Sequence, residues 1–239
     1  MLTPTTRCRP TDLGGPTGRA RGDRPHGILE RSKHAERSVT FRKTAVTAVP
    51  LHPLLAERWS PRALDDAHRL TDAQLTALLE AARWAPSANN TQPWRFAVTH
   101  RGTSEFDAVR DALAPGNQLW AHAASALVVV AAETIGPDGA PRPWAVYDAG
   151  QAVAHLSVQA QHEGLALHQL GGFDRDRIAT LLDLPAAIVP LVVLAVGRRD
   201  DAADLPEALA DREGAPRARL PLDALMLPLP ASRGEQPAA

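Results

Sequence analysis

Two short arginine-containing segments carry the residue types that could bind an anionic ligand. Arg58, Ser60 and Arg62 occupy alternating positions, and Arg217 and Arg219 repeat that spacing late in the chain. Alternating side chains of an extended segment point the same way, so each arginine pair could present two guanidinium groups to one anion. Guanidinium groups bind phosphate oxygens through paired hydrogen bonds and stay charged at any working pH. For either pair alone, the simpler interpretation is solvated surface arginine, and Ser60 could equally cap a turn.

The segment Pro86–Trp94 is rich in side-chain amides. Asn89, Asn90 and Gln92 supply three amides within four residues, just after an amphipathic helical pattern. An amide offers both a donor and an acceptor, so Asn90 can read a ring edge on which one N–H lies between two carbonyl groups. The alternative is that Asn89 and Asn90 close the helix through left-handed backbone geometry. Together with the arginines, this loop suits a ligand with an anionic end and a heteroaromatic end, and flavin mononucleotide (FMN) is such a ligand.

The remaining motifs are weaker or missing. Gly171-Gly172 permits close approach of a ring to the backbone, although an ordinary tight turn explains the pair as well. His155 and His162 could share a helical face, but no Asp or Cys completes a metal-ligand set. The sequence contains no Gly-x-Ser-x-Gly, His-Glu-x-x-His, Walker or Gly-x-Gly-x-x-Gly pattern. Hydrolase and metalloenzyme functions therefore have no support, and no metal is expected.

The composition predicts one folded domain preceded by a basic tail. Of 239 residues, 44% are hydrophobic and 22% charged, as in ordinary globular proteins. Residues 1–43 hold ten Lys/Arg and four Asp/Glu, a net charge of +6, and show no sustained periodicity. Such a segment buries too little apolar surface to offset its ordering entropy, so we predict a disordered tail over 1–43 and a domain over 44–239. A nucleic-acid-binding arm is the alternative, which the lack of any aromatic residue before Phe41 disfavours.

Charge, cysteine content and hydropathy limit the location and the partners. The net charge of −1 gives no electrostatic case for nucleic acid or membrane binding. The single cysteine, Cys8, excludes an intrachain disulfide and fits a reducing compartment. No apolar run reaches the roughly 18–20 residues of a membrane span, and the N-terminus lacks a secretory pattern. We therefore expect a cytoplasmic protein that binds neither nucleic acid nor membrane.

Helical and strand patterns alternate along the domain. Thr71–Gln74 is a capping-box pattern that begins a helix ended by Pro86. Small residues between Ala149 and Ala160 mark a long helix, closed at Gly164, that could pair with a copy of itself in a dimer. The pattern further predicts strands at Trp94–Val98, Ala126–Ala132 and Pro190–Val196, and a helix at Phe106–Leu113 closed by Pro115-Gly116. Asp174 can cap a further helix that runs through Leu182, and the Pro-rich end is too short for its own domain. Short strands without a glycine-rich loop after the first favour an α/β/α sandwich of about four strands.

In this order and spacing, the motifs resemble those of the nitroreductase family of FMN flavoproteins. The resemblance runs from about Pro53 to Leu225 and is carried by Arg58-x-Ser60-x-Arg62, Ala85-Pro86-Ser87-x-x-Asn90-x-Gln92-Pro93-Trp94, Asp148-Ala149-Gly150-Gln151-Ala152, Gly164-Leu165, Gly171-Gly172-Phe173-Asp174, Leu194-Ala195-Val196-Gly197 and Arg217-x-Arg219-x-Pro221-Leu222. Leu64 departs from the phenylalanine usual in the family. The loop Glu133–Ala145 is short where larger members carry extra helices, so substrate specificity is not carried over.

The resemblance implies an α+β fold with a mostly antiparallel central sheet, in an intertwined homodimer with two FMN sites at its interface. It places Arg58, Ser60, Arg217 and Arg219 around the phosphate and Arg62 near the pyrimidine edge of the ring. There a cation would stabilise the anionic reduced flavin, which makes Arg62 the expected electronic tuning residue. The rest of the expected FMN-contacting set is Pro86, Ser87 and Asn90 from the partner subunit, Gly171 and Gly172 near flavin N5, and Trp59, Gln92 and Leu170.

The implied activity is ping-pong hydride transfer from NADPH or NADH through FMN N5 to a nitroaromatic, quinone-like or other conjugated acceptor. The cofactor carries this chemistry, so no protein acid or base is required. Two alternatives keep the flavin: an oxidase or dehydrogenase of a small organic substrate, and a flavin-binding protein without NAD(P)H turnover. Oxidation of NAD(P)H by the pure protein separates them.

Overall fold

A computed structural model of the chain describes residues 43–201 and 203–228, all within one unit, Arg37–Ala239. The predicted disordered tail therefore lies outside the described residues, except for Lys43. The described chain forms α1 (Pro53–Glu57), α2 (Asp72–Arg83), β1 (Trp94–His100), α3 (Ser104–Asp111), α4 (Pro115–Ala121), β2 (Ala126–Glu133), α5 (Ala145–His162), β3 (Ala166–Leu170), α6 (Arg175–Leu181), β4 (Ile188–Gly197) and α7 (Glu207–Gly214).

The four strands form one antiparallel sheet in the order β1-β2-β4-β3. The central strand β2 is buried from Ala126 to Ala132 because both faces of the sheet are covered by helices. Side chains of a strand alternate between the faces, so Val128 joins one core and Val129 the other.

Two helical layers cover the sheet, which confirms the predicted α+β sandwich. The first core contains Leu78 of α2 and Leu156 of α5, each 1% exposed. The second contains Phe106 of α3, Trp120 of α4 and Ile178 of α6, all essentially buried. Within α5, the small residues Ala149 and Ala152 are buried and pack against α2 and the sheet. The stripe that the sequence suggested could pair with a copy of the chain therefore faces its own core.

Local sequence signals account well for several of these elements. The predicted capping box is present: the Thr71 hydroxyl accepts a hydrogen bond from the Gln74 backbone N–H, and the Gln74 side chain accepts one from the Thr71 N–H. Asp174 caps α6 as predicted, accepting from the Arg177 N–H at 2.9 Å. The helix after the capping box ends at Arg83, slightly before Pro86, since Trp84 already leaves helical geometry.

The sequence reasoning was wrong at other points. The helix predicted over Phe106–Leu113 is Ser104–Asp111, because the Thr103 hydroxyl caps its first turn by accepting from the Phe106 N–H. Pro115 was expected to close that helix, but it begins α4 instead, where a proline without an N–H is tolerated. The Pro-rich end contains an unpredicted helix, α7, preceded by Pro206. No described helix is long and apolar enough to cross a membrane.

Candidate cofactor-binding site

The structure brings the two arginine segments together at one open cavity of about 230 Å³. Its lining residues are Lys43, Arg58, Trp59, Ser60, Arg62, Arg212, Ala215, Pro216, Arg217 and Arg219. All five arginine-segment residues singled out in the sequence are among them, although more than 150 positions separate Arg62 from Arg217. Six of the ten lining residues are cationic and none is acidic, so this arginine cavity favours an anionic ligand.

The cations of the arginine cavity perturb one another. Burial lowers the pKa of Arg58, and the charges of Arg217 and Arg219 lower it further. The pKa of Arg217 is lowered in the same way, by burial first and then by Arg219. An anion bound between these groups would offset that mutual repulsion, and guanidinium forks match phosphate oxygens in geometry. The donor set therefore fits the phosphate group of a nucleotide cofactor.

One of these arginines also holds the backbone. The Arg217 Nη1 donates to the carbonyl oxygens of Lys43, at 2.8 Å, and of Ala56. Arg219 is exposed, with a local bond to the Ala218 carbonyl. Arg217 thus joins the late segment to the start of the domain, whereas Arg219 makes no such long-range hydrogen bond among the described residues.

Two residues outside the segment Arg58–Arg62, His168 and Lys43, contact it. His168, in β3, lies 3.0 Å through Nδ1 from the Pro61 carbonyl, and its ring packs against Trp120 with centroids 4.7 Å apart. Burial lowers the pKa of His168 to about 4, so the ring is neutral at neutral pH and its Nδ1–H donates to Pro61. Trp59 is contacted by Lys43, whose Nζ lies 4.3 Å from the ring centroid. The hydrogen bond from His168 and the contact of Lys43 with Trp59 therefore hold this segment in place.

The amide-rich loop has a left-handed backbone at three non-glycine residues. The φ angles are 51° at Asn89, 55° at Asn90 and 45° at Gln92. The left-handed geometry foreseen for both asparagines is present, but in a separate turn beyond α2 rather than at the helix end. Backbone strain of this kind persists where surrounding contacts enforce it, and it clusters at functional sites.

Four hydrogen bonds enforce the shape of that loop. The Ser87 hydroxyl accepts from the Gln92 N–H at 3.1 Å, and the Gln92 amide donates to the Asn90 backbone oxygen and to its Oδ1. Asp148 of α5, only 3% exposed, accepts from the Ala88 N–H at 3.0 Å. The loop therefore lies against the N-terminal end of α5, to which the Asp148 side chain anchors it.

Within one chain, the loop and the arginine cavity lie near opposite ends of α5. Gln161 and Gly164, at the C-terminal end of this helix, line a neighbouring cavity of about 360 Å³ together with Trp59. Thirteen residues separate Asp148 from Gln161, which is about 20 Å along a helix axis. A single chain thus does not bring the predicted phosphate and ring-edge groups to one point.

Gly171 and Gly172 follow β3, three residues beyond His168. The Gly172 carbonyl accepts from the Ala114 N–H at 2.9 Å and from the Asn117 side chain at 3.1 Å, so α4 fixes this turn. Both glycines are exposed. The Leu170 side chain is 2% exposed within the second core, so the predicted contact of Leu170 with the cofactor would be made through its backbone.

Sequence reasoning missed several residues that shape the site. Glu213 of α7 binds the backbone at Arg62, and His168 and Asn117 bind backbone carbonyls at either side of the site. All three act across long sequence separations, so no local pattern marks them. Asp148 stood within a recognised motif, but without a role. Among the described residues, no cluster of His, Cys, Asp and Glu could hold a metal ion.

The sandwich defines an α+β protein, and its cation-lined cavity fits an anionic ligand. The chain belongs to the nitroreductase family, whose model matches residues 55–198. The family and the names of the relatives below identify it as an oxidoreductase.

Similar proteins of known name or structure extend over most of the domain. A crystal structure described as an oxidoreductase containing FMN matches with a TM-score of 0.73 and 36% identity, covering 79% of this chain and 96% of that chain. Protein DrgA of Synechocystis is 30% identical over 202 residues, 71% of this chain and 91% of that protein. An Archaeoglobus fulgidus protein, provisionally named NADH dehydrogenase/NAD(P)H nitroreductase, is 30% identical over 159 residues, 65% of this chain and 88% of that protein.

Proposed function

We propose that this protein is an FMN-dependent NAD(P)H oxidoreductase that reduces nitroaromatic, quinone-like or other conjugated acceptors. The observation that carries the proposal is the arginine cavity, in which Arg58, Ser60, Arg62, Arg217 and Arg219 surround one open space. The FMN in the related oxidoreductase and the NAD(P)H in the name of the archaeal relative support the choice of cofactor and electron donor.

In this proposal the chain binds and orients the cofactor. Arg58, Ser60, Arg217 and Arg219 hold the phosphate through charge-assisted bonds, and Trp59 borders it. Arg62 lies at the pyrimidine edge, while Gly171 and Gly172 offer backbone without side-chain bulk. Bound FMN supplies hydride transfer between NAD(P)H and the acceptor. The residues named here supply affinity, orientation and electrostatics.

We further propose that the site is completed by a second copy of the chain. The loop that carries Pro86, Ser87, Asn90 and Gln92 lies about 20 Å along α5 from the cavity region of its own chain. If two α5 helices pack against each other in opposite directions, the loop of one chain comes close to the arginine cavity of the other. The outward face of α5 carries the exposed residues Tyr147, Gly150 and Ala154, which suit such a contact.

The experiment that tests this function is an absorption spectrum of the purified protein in the near-ultraviolet and visible range, before and after anaerobic NADPH or NADH. Flavin bands that bleach with either donor are the expected result. A flavin that neither donor reduces would instead support the flavin-binding protein. A colourless protein that also fails to bind added FMN would contradict the proposal. Location in the cytoplasm stays a prediction of the sequence.

A further inference from the structure

The carboxylate of Glu213 accepts hydrogen bonds from the backbone immediately beside the arginine cavity. Its Oε1 accepts from the Arg62 N–H at 2.9 Å and from the Ala63 N–H at 3.1 Å, and its Oε2 lies 3.1 Å from the same Arg62 nitrogen. The Glu213 side chain is 12% exposed. A buried carboxylate with backbone donors is a strong anchor, because hydrogen bonds to an ionised group are about twice as strong as neutral ones.

The same carboxylate is also the negative charge nearest to the Arg62 side chain. Its Oε2 lies 3.7 Å from Arg62 Nη1. Its charge extends to Lys43 as well: burial lowers the pKa of Lys43, and Glu213 opposes that shift. The cavity lining itself contains six cations and no carboxylate. Glu213 therefore contacts a lining residue, Arg62, without lining the cavity itself, and its charge offsets part of the positive charge of the lining.

We propose that Glu213 is a positioning residue that sets both the affinity for FMN and the midpoint potential of the bound flavin. This inference rests on the proposed function. The hydrogen bonds from the Arg62 and Ala63 backbone hold Arg62 in the cavity lining. The negative charge of Glu213 weakens the electrostatic stabilisation that Arg62 gives to the negative charge of a reduced flavin. Removing the charge should favour the reduced flavin, whereas removing the anchor should loosen the site.

The geometry allows these two roles to be separated. In Glu213→Gln, the amide oxygen can take the place of Oε1 and accept from both Arg62 and Ala63, so these two bonds are kept in neutral form, while the negative charge and the Oε2 contact are lost. In Glu213→Ala, the backbone bonds and the charge are all lost. Glu207→Gln is the matched control, since Glu207 is exposed in the first turn of the same helix.

The test measures the FMN dissociation constant by fluorescence titration, the midpoint potential of the bound FMN, and the thermal unfolding midpoint of each variant. We expect Glu213→Gln to raise the midpoint potential, and to change FMN affinity and the unfolding midpoint less than Glu213→Ala does, because two of the backbone bonds remain. Glu213→Ala should weaken FMN binding roughly tenfold or more, and Glu207→Gln should change none of the three.

Two results would overturn the inference in different ways. If Glu213→Gln leaves the potential at the wild-type value, and both Glu213 variants lower only the unfolding temperature, Glu213 is merely structural while the FMN site stands. If the wild-type protein binds no FMN, the proposed function and this inference fail together.

Discussion

At the scale of single residues, the arginines of the cavity differ in what else they hold. Among the described residues, Arg219 is exposed and hydrogen-bonds only to its neighbour Ala218, whereas Arg217 donates to the backbone carbonyls of Lys43 and Ala56. In the proposed site, Arg217 would therefore contribute both to ligand binding and to stability, whereas Arg219 would contribute to ligand binding alone. Ligand binding and stability can also be separated at two other places. In the amide-rich loop, Asn89 serves as a control for Asn90, and at His168 the pH dependence of unfolding isolates the contribution to stability.

We expect Arg219→Ala to weaken FMN binding without lowering the unfolding temperature, because the phosphate loses a charge-assisted bond worth about 1.5–3 kcal/mol. Arg217→Ala should weaken FMN binding and also lower stability, because the Lys43 and Ala56 carbonyls each lose one hydrogen bond. Fluorescence titration with FMN and thermal unfolding measure the two effects. Arg69→Ala, at an exposed arginine outside the cavity lining, is the control. Unchanged FMN affinity in the double variant at 217 and 219 would show that the phosphate lies elsewhere.

Asn90→Ala should alter the absorption spectrum of the bound flavin and weaken FMN binding, because the amide that reads the ring edge is lost. Asn89→Ala is a matched control, since both asparagines have φ near 50° and alanine strains the backbone similarly at each. Any difference between the variants therefore reports the side chain. Equal spectra and equal FMN affinities would remove Asn90 from the site.

His168 should make the protein less stable in mild acid. Its pKa is about 4 in the folded protein and 6.5 when unperturbed, so the unfolded chain takes up the proton first as the pH falls. The stability that neutral His168 preserves is complete above about pH 6.5 and is lost toward pH 4, by at most about 3 kcal/mol. Urea unfolding at pH 7 and pH 5 should show a smaller fall in His168→Gln than in the wild type. An equal fall in both would assign the effect to other groups.

At the scale of elements, α4 contacts two parts of the candidate site, the turn at Gly172 and the residue His168. This helix binds the Gly172 carbonyl through Asn117 and packs Trp120 against His168, which in turn holds Pro61. One short helix thus connects the glycine turn with the arginine segment. Its sequence, which begins with proline and glycine, gave no sign of that role.

The two glycines after β3 should respond differently to an added methyl group. A Cβ at Gly172 would lie 3.2 Å from the Ala114 Cβ and 3.3 Å from Asn117 Nδ2, whereas a Cβ at Gly171 meets nothing within 4 Å. We expect Gly172→Ala to lower the unfolding temperature by pushing against α4. Gly171→Ala should leave stability unchanged but weaken FMN binding, because its methyl group projects into the space proposed for the ring. If Gly171→Ala binds FMN as the wild type does, the ring does not contact Gly171.

At the scale of the whole molecule, the site as proposed needs two chains. The exposed face of α5 carries the small residues Gly150 and Ala154 and the large side chain of Tyr147, which is 65% exposed. In the C-terminal segment, Leu227 is 87% exposed. Apolar exposure on this scale is typical of an interaction surface. Dimerisation and FMN binding are therefore expected to be linked.

Ala154→Glu should convert the dimer to monomers and weaken FMN binding in parallel, because it buries a charge between two α5 helices. Sedimentation velocity and fluorescence titration with FMN measure the two quantities. Thr180→Glu, on the exposed side of α6 in the other helical layer, should affect neither. A monomeric Ala154→Glu that binds FMN as tightly as the wild type would show that one chain suffices for the site.

The sequence by itself determined the elements and motifs whose signals are local. The capping box at Thr71, the continuous apolar run of β2 and the small-residue pattern of α5 each depend on residues a few positions apart, and all three are present in the structure. The spacing of Arg58, Ser60 and Arg62 likewise marked one side of a cavity. These patterns are readable because helix and strand periods place neighbouring residues on one face.

Only the tertiary structure decided which residues hold those motifs in place. Glu213 contacts Arg62 across 151 positions, and His168 contacts Pro61 across 107. A glutamate on a short polar helix and a histidine in a five-residue strand look ordinary until the fold brings them to their partners. The separation of the amide loop from the arginine cavity along α5 also follows from packing rather than from spacing in the chain. Long-range contacts of this kind leave no periodic trace, which is why the sequence indicated the groups that line the arginine cavity but not those that position them.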